Sequence, residues 1–313
     1  MNGARQRQYG VALLTAMLIM ALTAIITTRM IADMNLALQR SGNIWNAQQD
    51  WWYGIGIENW LGAKLREDAL HTEIDSLNEQ WAQPVDYLPI DGGSISGRII
   101  DLQGRFNLND LVLGDAEATM AYFKRLIVTV TDTDPVTAQT IAQSTRDWID
   151  SDIQATRPYG AEDNYYLGLD PAYRTGNTLM TSPSELSAVR GVTPAIYRAL
   201  LPYIATLPTQ TAINVNTAPA PVLQALTENM PQNAGADLVD ERAKRPWKTV
   251  DEFDQAGPMA GQQPEGINLD IRTHYFLVAG RITVGNSQTR FYSVLNRADN
   301  GAVHVVRHAT DAY

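Results

Sequence analysis

The sequence predicts an α+β protein in which a long N-terminal helix and an antiparallel β-sheet accompany a large helical region. Three observations support this prediction. No proline occurs between Val11 and Gln83, three β-rich runs separated by turn residues close the chain, and residues 106–271 have helical rather than strand patterns. At 313 residues with 45% hydrophobic content, the chain is long enough for more than one structural lobe.

The N-terminal helix starts with an uncharged apolar run, Val11–Thr28, preceded by a leader that contains Arg5 and Arg7. Such a helix crosses most of a bilayer core of roughly 30 Å, and its threonine hydroxyls can hydrogen-bond back to the helix. The two arginines keep the leader cytoplasmic, which places the remainder of the chain across the membrane. A cleaved secretory signal fits poorly because no small-x-small site follows the run. We therefore predict a membrane helix over residues 11–30.

Helical spacing continues beyond the membrane run to about Leu70, and five of the seven tryptophans lie between Trp45 and Trp81. The favoured interpretation is a core face on which the head packs, because aromatic side chains dominate buried area. The alternative is a docking surface. Trp51 and Trp52 point in different directions on a helix, so one of them would remain available to a partner helix.

The strand predictions lie on either side of the helical region. Residues Gln83–Asp91 read as a proline-bearing connection, and Ser94–Leu102 alternates as a strand does. At the C-terminus, three runs separated by turn residues predict an antiparallel β-meander: Tyr275–Val284, Thr289–Asn296 and Ala302–His308.

The region between these strands contains six helix candidates, several of which begin with a capping oxygen or a first-turn proline. They are Asp115–Leu126, Pro135–Asp150, Ser184–Val189, Pro194–Leu200, Pro219–Thr227 and Ala236–Arg242. Ser184–Leu201 reads as a helix-hairpin-helix, which we interpret as a packing module. Residues 106–111 and 213–218 both have an apolar-Asn-apolar-Asn pattern before a helix, which suggests two related modules.

Composition excludes several function classes. The formal net charge is −10, and loss of Arg5 and Arg7 makes it −12, whereas nucleic-acid binders usually have a basic face. The chain contains no cysteine, so disulfides, thiolate catalysis and zinc–thiolate sites are excluded. The four histidines form no HExxH motif, and no nucleophile elbow or P-loop is found. Nothing in the sequence indicates an enzyme.

The densest group of oxygen ligands is Asp147–Asp152, followed by Gly160–Tyr165. Hard cations such as Ca²⁺ need six to eight oxygen ligands, which loop carboxylates and carbonyls can supply. The spacing is not that of an EF-hand, because Ala155 and Ala161 stand where Gly and Glu would be required. The alternative is a solvated acidic loop at a helix end. That alternative is the usual fate of acidic runs. Crowded carboxylates repel each other unless something neutralises them, so the residues alone leave both interpretations open.

The arrangement of a basic leader, Gly10 and an apolar helix resembles the prepilin peptidase site of type IV pilins and type II secretion pseudopilins. Two positions depart from the common pilin pattern: Val11 replaces the usual first mature Phe, and Thr15 replaces the usual Glu. Absence of that Glu is typical of the K-type minor pseudopilin. Together with the acidic loop, the Ser184–Leu201 segment and the closing meander, these residues resemble the K-type minor pseudopilin of the type II secretion system (general secretion pathway protein K family).

This resemblance implies a pilin-like fold, with the long N-terminal helix packed on an antiparallel β-sheet and a large inserted all-α domain that contains helix-hairpin-helix-like modules. The implied boundaries are a leader over 1–10, a transmembrane part over 11–30, the rest of the helix and first strands over 31–105, the inserted domain over 106–271 and the meander over 272–313. Prepilin peptidase would cleave between Gly10 and Val11 and methylate Val11.

The resemblance also implies structural Ca²⁺ in the inserted domain, with Asp150, Asp152, Glu162, Asp163 and Asn177 as the matching residues. It implies a tip subunit that starts pseudopilus assembly with the I-type and J-type minor pseudopilins and the major pseudopilin. Contact with exported proteins is a further expectation. The implied location is the inner membrane, with a cytoplasmic N-terminus and a periplasmic C-terminal domain.

Two other functions are compatible with the residues. One is a membrane-anchored periplasmic binding module that recruits secreted substrates independently of a filament. The other is a DNA-uptake pilin, which the helix-hairpin-helix suggests and the acidic net charge opposes.

Overall fold

The long helix predicted at the N-terminus is confirmed in a computed structural model, which describes residues 5–285 and 287–310 and the side chains from Val11 onward. Helix α1 (Arg5–His71) contains no proline. The chain divides into two compact units, one reaching to Ile55 and the other starting at Gly56. In the first unit, the hydroxyls of Thr15, Thr23 and Thr28 donate to carbonyls one helical turn back, as the sequence predicted.

The second unit contains a five-stranded antiparallel sheet with the strand order β1-β2-β7-β8-β9. The strands are β1 (Val85–Ile90), β2 (Gly93–Asp101), β7 (Tyr275–Val284), β8 (Ser287–Arg297) and β9 (Val303–Thr310). The predicted β2 and meander strands are confirmed within two residues at each end. Because β2 pairs directly with β7, residues 102–274 form an insertion between two neighbouring strands.

Strand β1 corrects the prediction of a connection over Gln83–Asp91. The segment pairs antiparallel with β2, with a register shift between Val85 and Leu88. Pro89 is tolerated because β1 is an edge strand, where one side of the backbone needs no ladder partner. Gly92 supplies the positive φ of +74° that the tight turn into β2 requires.

The last turns of α1 in this unit pack on the inner face of the sheet. Leu61 and Leu65 are buried, and Trp81 contacts Phe276 edge to face at 5.2 Å between ring centroids. At the end of this core, buried Arg297 donates to Asp75 Oδ1 at 2.6 Å and to the Thr273 carbonyl at 2.9 Å. This ion pair joins the segment after α1 to strand β8.

The insertion consists of short helices and two two-residue parallel ladders that the sequence did not predict. Its helices are α2 (Asp110–Leu113), α3 (Ala116–Val130), α4 (Pro135–Ile149), α5 (Asp163–Tyr166), α6 (Pro194–Leu200), α7 (Ala220–Gln224), α8 (Ala234–Lys244) and α9 (Val250–Asp254). Its strands are β3 (Phe106–Asn107) with β4 (Ile204–Ala205), and β5 (Ile213–Asn214) with β6 (Leu269–Asp270).

The repeated apolar-Asn-apolar-Asn pattern forms two modules with the same internal hydrogen bonds. In the first module, Asn109 donates to the Met180 carbonyl at 3.0 Å and accepts from the Met180 amide at 2.9 Å. In the second, Asn216 makes the same two bonds to Trp247, both at 2.9 Å. We call each pair an asparagine clamp. The amides of Leu108 and Val215 also donate to equivalent carbonyls, at Ala205 and Asp270.

After each clamped residue the chain enters a capped turn. Ser182 caps a 3₁₀ helix, Pro183–Ala188, in a capping box with Glu185, and Thr249 caps α9 by accepting from the Glu252 amide. The predicted helix Ser184–Val189 is confirmed, shifted by one residue and with the tighter 3₁₀ geometry. Of the other five helix candidates, Pro194–Leu200 is confirmed with its predicted ends and four are confirmed with shifted ends. Gly191, with φ +85°, makes the predicted turn into α6.

The insertion has its own core and also covers part of the outer face of the sheet. Phe106 stacks on Phe123 at 5.3 Å, and Tyr122 donates to the Val222 carbonyl at 2.8 Å, which joins the first module to the second. On the outer face of the sheet, Leu102, Ala205 and Leu207 pack on residues of β7 and β8. The part of the sheet closest to the insertion is therefore covered on both faces.

Candidate metal centre

The predicted acidic loop starts where α4 ends. Asp134 caps the start of α4 by accepting from two backbone amides, and Asp150 occupies the cap position at its end. One turn earlier, fully buried Asp147 accepts from the Thr156 amide at 2.9 Å. A Cβ atom on Gly160 would lie 2.1 Å from Asp147 Oδ2, so only glycine fits at that position. These contacts fold the first half of the loop back onto the helix.

An aromatic cluster fixes the second half of the loop. Trp148 contacts Tyr166 edge to face at 5.4 Å, and Tyr173 lies 5.3 Å from Tyr166. The amide of Asn177 then donates to the Trp148 carbonyl at 3.0 Å. The loop thus leaves and returns to the same end of α4, which brings residues far apart in sequence together.

Three carboxylates predicted as ligands lie together at this point. Asp150, Asp152 and Glu162 each present an oxygen within 4.8 Å of the other two. Calcium–oxygen bonds are about 2.4 Å long, so ligands on opposite sides of one ion lie about 4.8 Å apart. Glu162 is buried, Asp150 is half-buried and Asp152 is exposed, so the group opens to solvent on one side. The spacing fits a single hard cation.

Several oxygens at this point are buried without a hydrogen-bond partner among the residues that the structure describes. They are Asp150 Oδ1, Glu162 Oε1 and Asn177 Oδ1, all from the predicted ligand set. Buried polar atoms in native proteins nearly always have a partner, so these oxygens are candidates for metal ligands. A cation held by the three carboxylates would satisfy the Asp150 and Glu162 oxygens, whereas the buried Trp148 Nε1, which is also without a partner, is a donor that a cation would not satisfy.

Asp163 differs from the other predicted ligands. Its Oδ1 accepts from both the amide and the hydroxyl of Thr175, each at 3.0 Å, and Oδ2 lies 3.5 Å from Arg174. The structure does not bring the Asp163 carboxylate into the group of three. Asp163 closes the loop instead. Asp147, which begins the predicted acidic group but is not in the implied ligand set, has a similar supporting role. Its place one helical turn before Asp150 is the sequence signal for that role.

Burial and the crowding of negative charges raise the pKa values of two carboxyl groups at this point. Burial, together with the neighbouring Asp152 and Asp147, raises the pKa of Asp150 to about 6. Burial and the charges of Asp147, Asp150 and Asp152 raise the pKa of Glu162 to about 7. Binding of a divalent cation would reverse both shifts, because opposite charge favours the ionised form. Metal binding at this group would therefore release protons.

A second acidic group in the same unit has a different explanation. Asp68, Asp75 and Glu79 lie close enough to share an ion, but Arg297 pairs with both aspartates. Glu79 Oε2 accepts from the Ser76 amide and from Trp81 Nε1. These carboxylates already have partners, so the group is an ion-pair network rather than a second metal site.

The predicted processing residues lie in the first turns of α1. Gly10 is helical, although the structure does not describe its surroundings, and Val11 is exposed. Thr15 donates to the Ala12 carbonyl at 2.9 Å. An apolar stretch of 18 residues in this helix has a mean hydropathy of 2.3, and none of it is buried. Helix α1 is therefore the candidate membrane span among the described residues.

The tryptophans of α1 correct the favoured interpretation that they form a core face. Trp45 and Trp52 are each 69% exposed, and Trp51 and Trp60 are close to half exposed. Among the five tryptophans between Trp45 and Trp81, only Trp81 is buried, because it lies beyond α1 and packs under the sheet. The others present aromatic surface to the exterior.

Two family models match the inserted region, and both are described as Type II secretion system (T2SS), protein K. The first matches residues 104–209 and the second residues 213–272. These limits coincide with the two modules closed by the asparagine clamps.

Curated relatives match over nearly the whole chain. Type II secretion system protein K of Pseudomonas aeruginosa is 33% identical and covers 96% of this chain and 92% of its own length. The protein of the same name from Pectobacterium carotovorum is 33% identical, with 99% and 98% covered.

A solved structure has the same fold. It is a chain from the crystal structure of the GspK-GspI-GspJ complex from the enterotoxigenic Escherichia coli Type 2 Secretion System, with a TM-score of 0.77 and 24% identity. The match covers 88% of this chain and 100% of that chain.

Proposed function

Since this chain belongs to the type II secretion system protein K family, we propose that it is a minor pseudopilin that acts at the tip of the pseudopilus and starts its assembly. The observation that supports the tip most directly is the size of the head. Residues 106–271 add two modules beside a sheet of only five strands. Such an insertion is hard to accommodate between subunits stacked along a filament.

Thr15 supports the same position. Threonine has no carboxylate, and the Thr15 hydroxyl donates to the Ala12 carbonyl of the same helix. Thr15 therefore cannot form an ion pair with the amine of a neighbouring subunit. A carboxylate inside the membrane helix would need such a partner, because an unpaired charge in hydrocarbon is costly. A terminal subunit has no neighbour that would require the charge. The proposed role is structural rather than catalytic.

We infer that maturation removes residues 1–10 by cleavage between Gly10 and Val11, followed by methylation of the Val11 amine. Prepilin peptidase would perform both steps at the membrane, with the leader cytoplasmic and the second unit periplasmic. The basic leader and the exposed apolar helix support this orientation. Gly10→Val should abolish maturation. Normal processing of that variant in cells, measured by intact mass, would contradict the cleavage site.

The proposed partners are the I-type and J-type minor pseudopilins, followed by the major pseudopilin and then by exported proteins. Exposed aromatic side chains of α1, including Trp52, offer a surface for partner helices. Coexpression with both minor partners should yield a stable ternary complex, which native mass spectrometry would detect. Trp52→Ala should weaken it, whereas Leu70→Ala, another exposed residue of α1, should not. A chain that binds exported proteins but neither partner would instead be a filament-independent recruiting module.

We also propose that Asp150, Asp152 and Glu162 bind structural Ca²⁺, with Asn177 completing the set. The orphaned buried oxygens support this proposal. Terbium replaces calcium at oxygen sites, and Trp148 lies beside the loop, so tryptophan-sensitised terbium emission reports binding. Emission should appear at one site, be displaced by calcium and be lost in Asp150→Asn. Emission that persists in that variant would place the ion elsewhere.

A further inference from the structure

Three arginines lie together on the outer face of the sheet, away from the metal centre. Arg281 on β7 is directly opposite Arg290 on β8, and Arg98 on β2 is opposite Ala279, two residues from Arg281. Because residues two apart on a strand share a face, all three side chains project on the same side. We call this surface, Arg98, Arg281 and Arg290 with Ser96 and Ala279 between them, the arginine basin.

The arginines of the basin have no ion-pair partner within the part of the chain that the structure describes, although the exposed carboxylate of Asp86 lies at the margin of the basin. All three are exposed, and none forms an ion pair or a side-chain hydrogen bond with any residue in 5–285 or 287–310. Like charges directly opposite on neighbouring strands are destabilising. The chain has 34 acidic residues against 24 basic ones, so carboxylates are abundant elsewhere. Stability of the sheet therefore does not explain why these arginines are clustered.

The shape of the surface is that of a binding site. On the same face of the sheet, Leu102, Ala205 and Leu207 of the insertion cover the neighbouring residues of β7 and β8, but they do not cover the arginines of the basin. An open depression of about 560 Å³ lies over the basin, with the small side chains of Ser96 and Ala279 between the arginines. Tyr292 and Val85 add apolar surface at its margin.

We propose that the arginine basin binds an extended acidic segment of a protein partner, with carboxylates on alternate residues. Arg281 and Arg290 are directly opposite each other, about 5 Å apart, and Arg98 is a diagonal neighbour of Arg281 at about 7–8 Å. Alternate residues of an extended peptide are about 6.8 Å apart, so long guanidinium side chains with these spacings can reach carboxylates on alternate residues. Guanidinium groups bind carboxylates in a bidentate manner, which adds geometric selectivity to charge.

The chemistry of the basin disfavours other polyanions. Nucleic acid needs a longer basic track, and the net charge of −10 repels it. The backbone amides of β2 and β7 are engaged in the sheet, so they form no nest for a phosphate group. This inference goes beyond the assembly and metal proposals, because neither assigns a role to this face.

The test measures peptide binding by the full chain in uncharged detergent micelles. The probe is a fluorescein-labelled peptide, Gly-Asp-Ser-Glu-Ser-Asp-Gly, followed by fluorescence anisotropy. Arg281→Gln with Arg290→Gln removes two charges from the basin, and Arg198→Gln with Lys244→Gln removes two exposed charges from the insertion. Binding should be saturable, at least tenfold weaker in the basin variant and unchanged in the control. The melting temperature of the basin variant should equal or exceed that of the unaltered chain.

Four results would overturn the proposal. Equal binding to both variants, or equal binding of a peptide with Asn and Gln in place of the acidic residues, would mean that the basin is not selective. Binding to phosphatidylglycerol vesicles but not to the peptide, lost in the basin variant, would identify a lipid surface instead. Peptide binding that appears only after residues 311–313 are removed would mean that this segment of the chain competes with the peptide for the basin.

Discussion

Substitution of Glu162 by Gln should stabilise the chain without calcium and destabilise it with calcium. Its carboxylate lies within 4.8 Å of those of Asp150 and Asp152. At an effective dielectric constant near 20, two full charges at that separation repel by about 3 kcal/mol. Exposure of Asp152, salt screening and relaxation reduce the total, so removal of the Glu162 charge should stabilise the metal-free chain by about 2 kcal/mol at pH 8.

The same change should weaken calcium binding, because Gln offers one neutral oxygen in place of a charged carboxylate. Each tenfold loss of affinity lowers the stabilisation by bound calcium by about 1.4 kcal/mol at saturating metal. Thermal unfolding of the full chain in detergent should therefore show opposite effects: a rise of about 4–8 °C in chelator and a fall in excess calcium. Glu241→Gln, which removes an exposed carboxylate of α8, should change neither value appreciably.

Two results would refute this reasoning. If Glu162→Gln lowers the melting temperature equally in chelator and in calcium, Glu162 acts through packing or hydrogen bonding rather than as a ligand. If it raises the melting temperature equally in both, the carboxylates repel each other but bind no ion, and the loop is a solvated acidic surface.

Three further predictions follow from buried polar groups. The folded-state pKa values of Glu162 and Asp110 are raised to about 7 by burial, so their stabilising contribution is complete below about pH 4 and is lost as pH rises through 7. In chelator, the melting temperature should therefore fall between pH 5 and pH 8, and Glu162→Gln should reduce that slope. Asn109→Ala removes both bonds of the first clamp and the bond from Asn109 to the Leu207 carbonyl, and should cost about 2–4 kcal/mol in denaturant unfolding, whereas exposed Asn300→Ala should cost much less. Arg297→Met leaves Asp75 without its partner and should cost about 3–5 kcal/mol, and a value below 1 kcal/mol would show that the ion pair is dispensable.

Local patterns predicted the elements of this fold well. Proline-free helical spacing located α1, alternation with turn residues located the meander, and capping residues located α4 and α6. The errors arose where tertiary contacts decide the outcome. Strand β1 contains Pro89 and is a strand only because β2 is available to pair with it. The two-residue ladders of the insertion are too short to have a period.

The candidate site was predictable in composition but not in arrangement. Clustered carboxylates marked the loop, and three of the predicted ligands lie together. Nothing in the spacing showed that Asp163 would turn to Thr175, or that Asp147 would be buried beneath the loop. The tryptophans were misassigned because aromatic side chains dominate buried area in most domains, whereas Trp45, Trp51, Trp52 and Trp60 are exposed here.

The two asparagine clamps have a consequence for how this region can vary. The second module passes from α8 to its clamped residue, Trp247, through Arg245 and Pro246 alone, whereas the first passes from α4 to Met180 through the whole acidic loop. Both clamps have the same geometry, so the frame of the first module does not depend on the length of the segment between them. The hydrogen bonds between Asn109 and Met180 hold the first module together without a contribution from the acidic loop. A change in the length or the carboxylates of the loop should therefore leave both clamps intact.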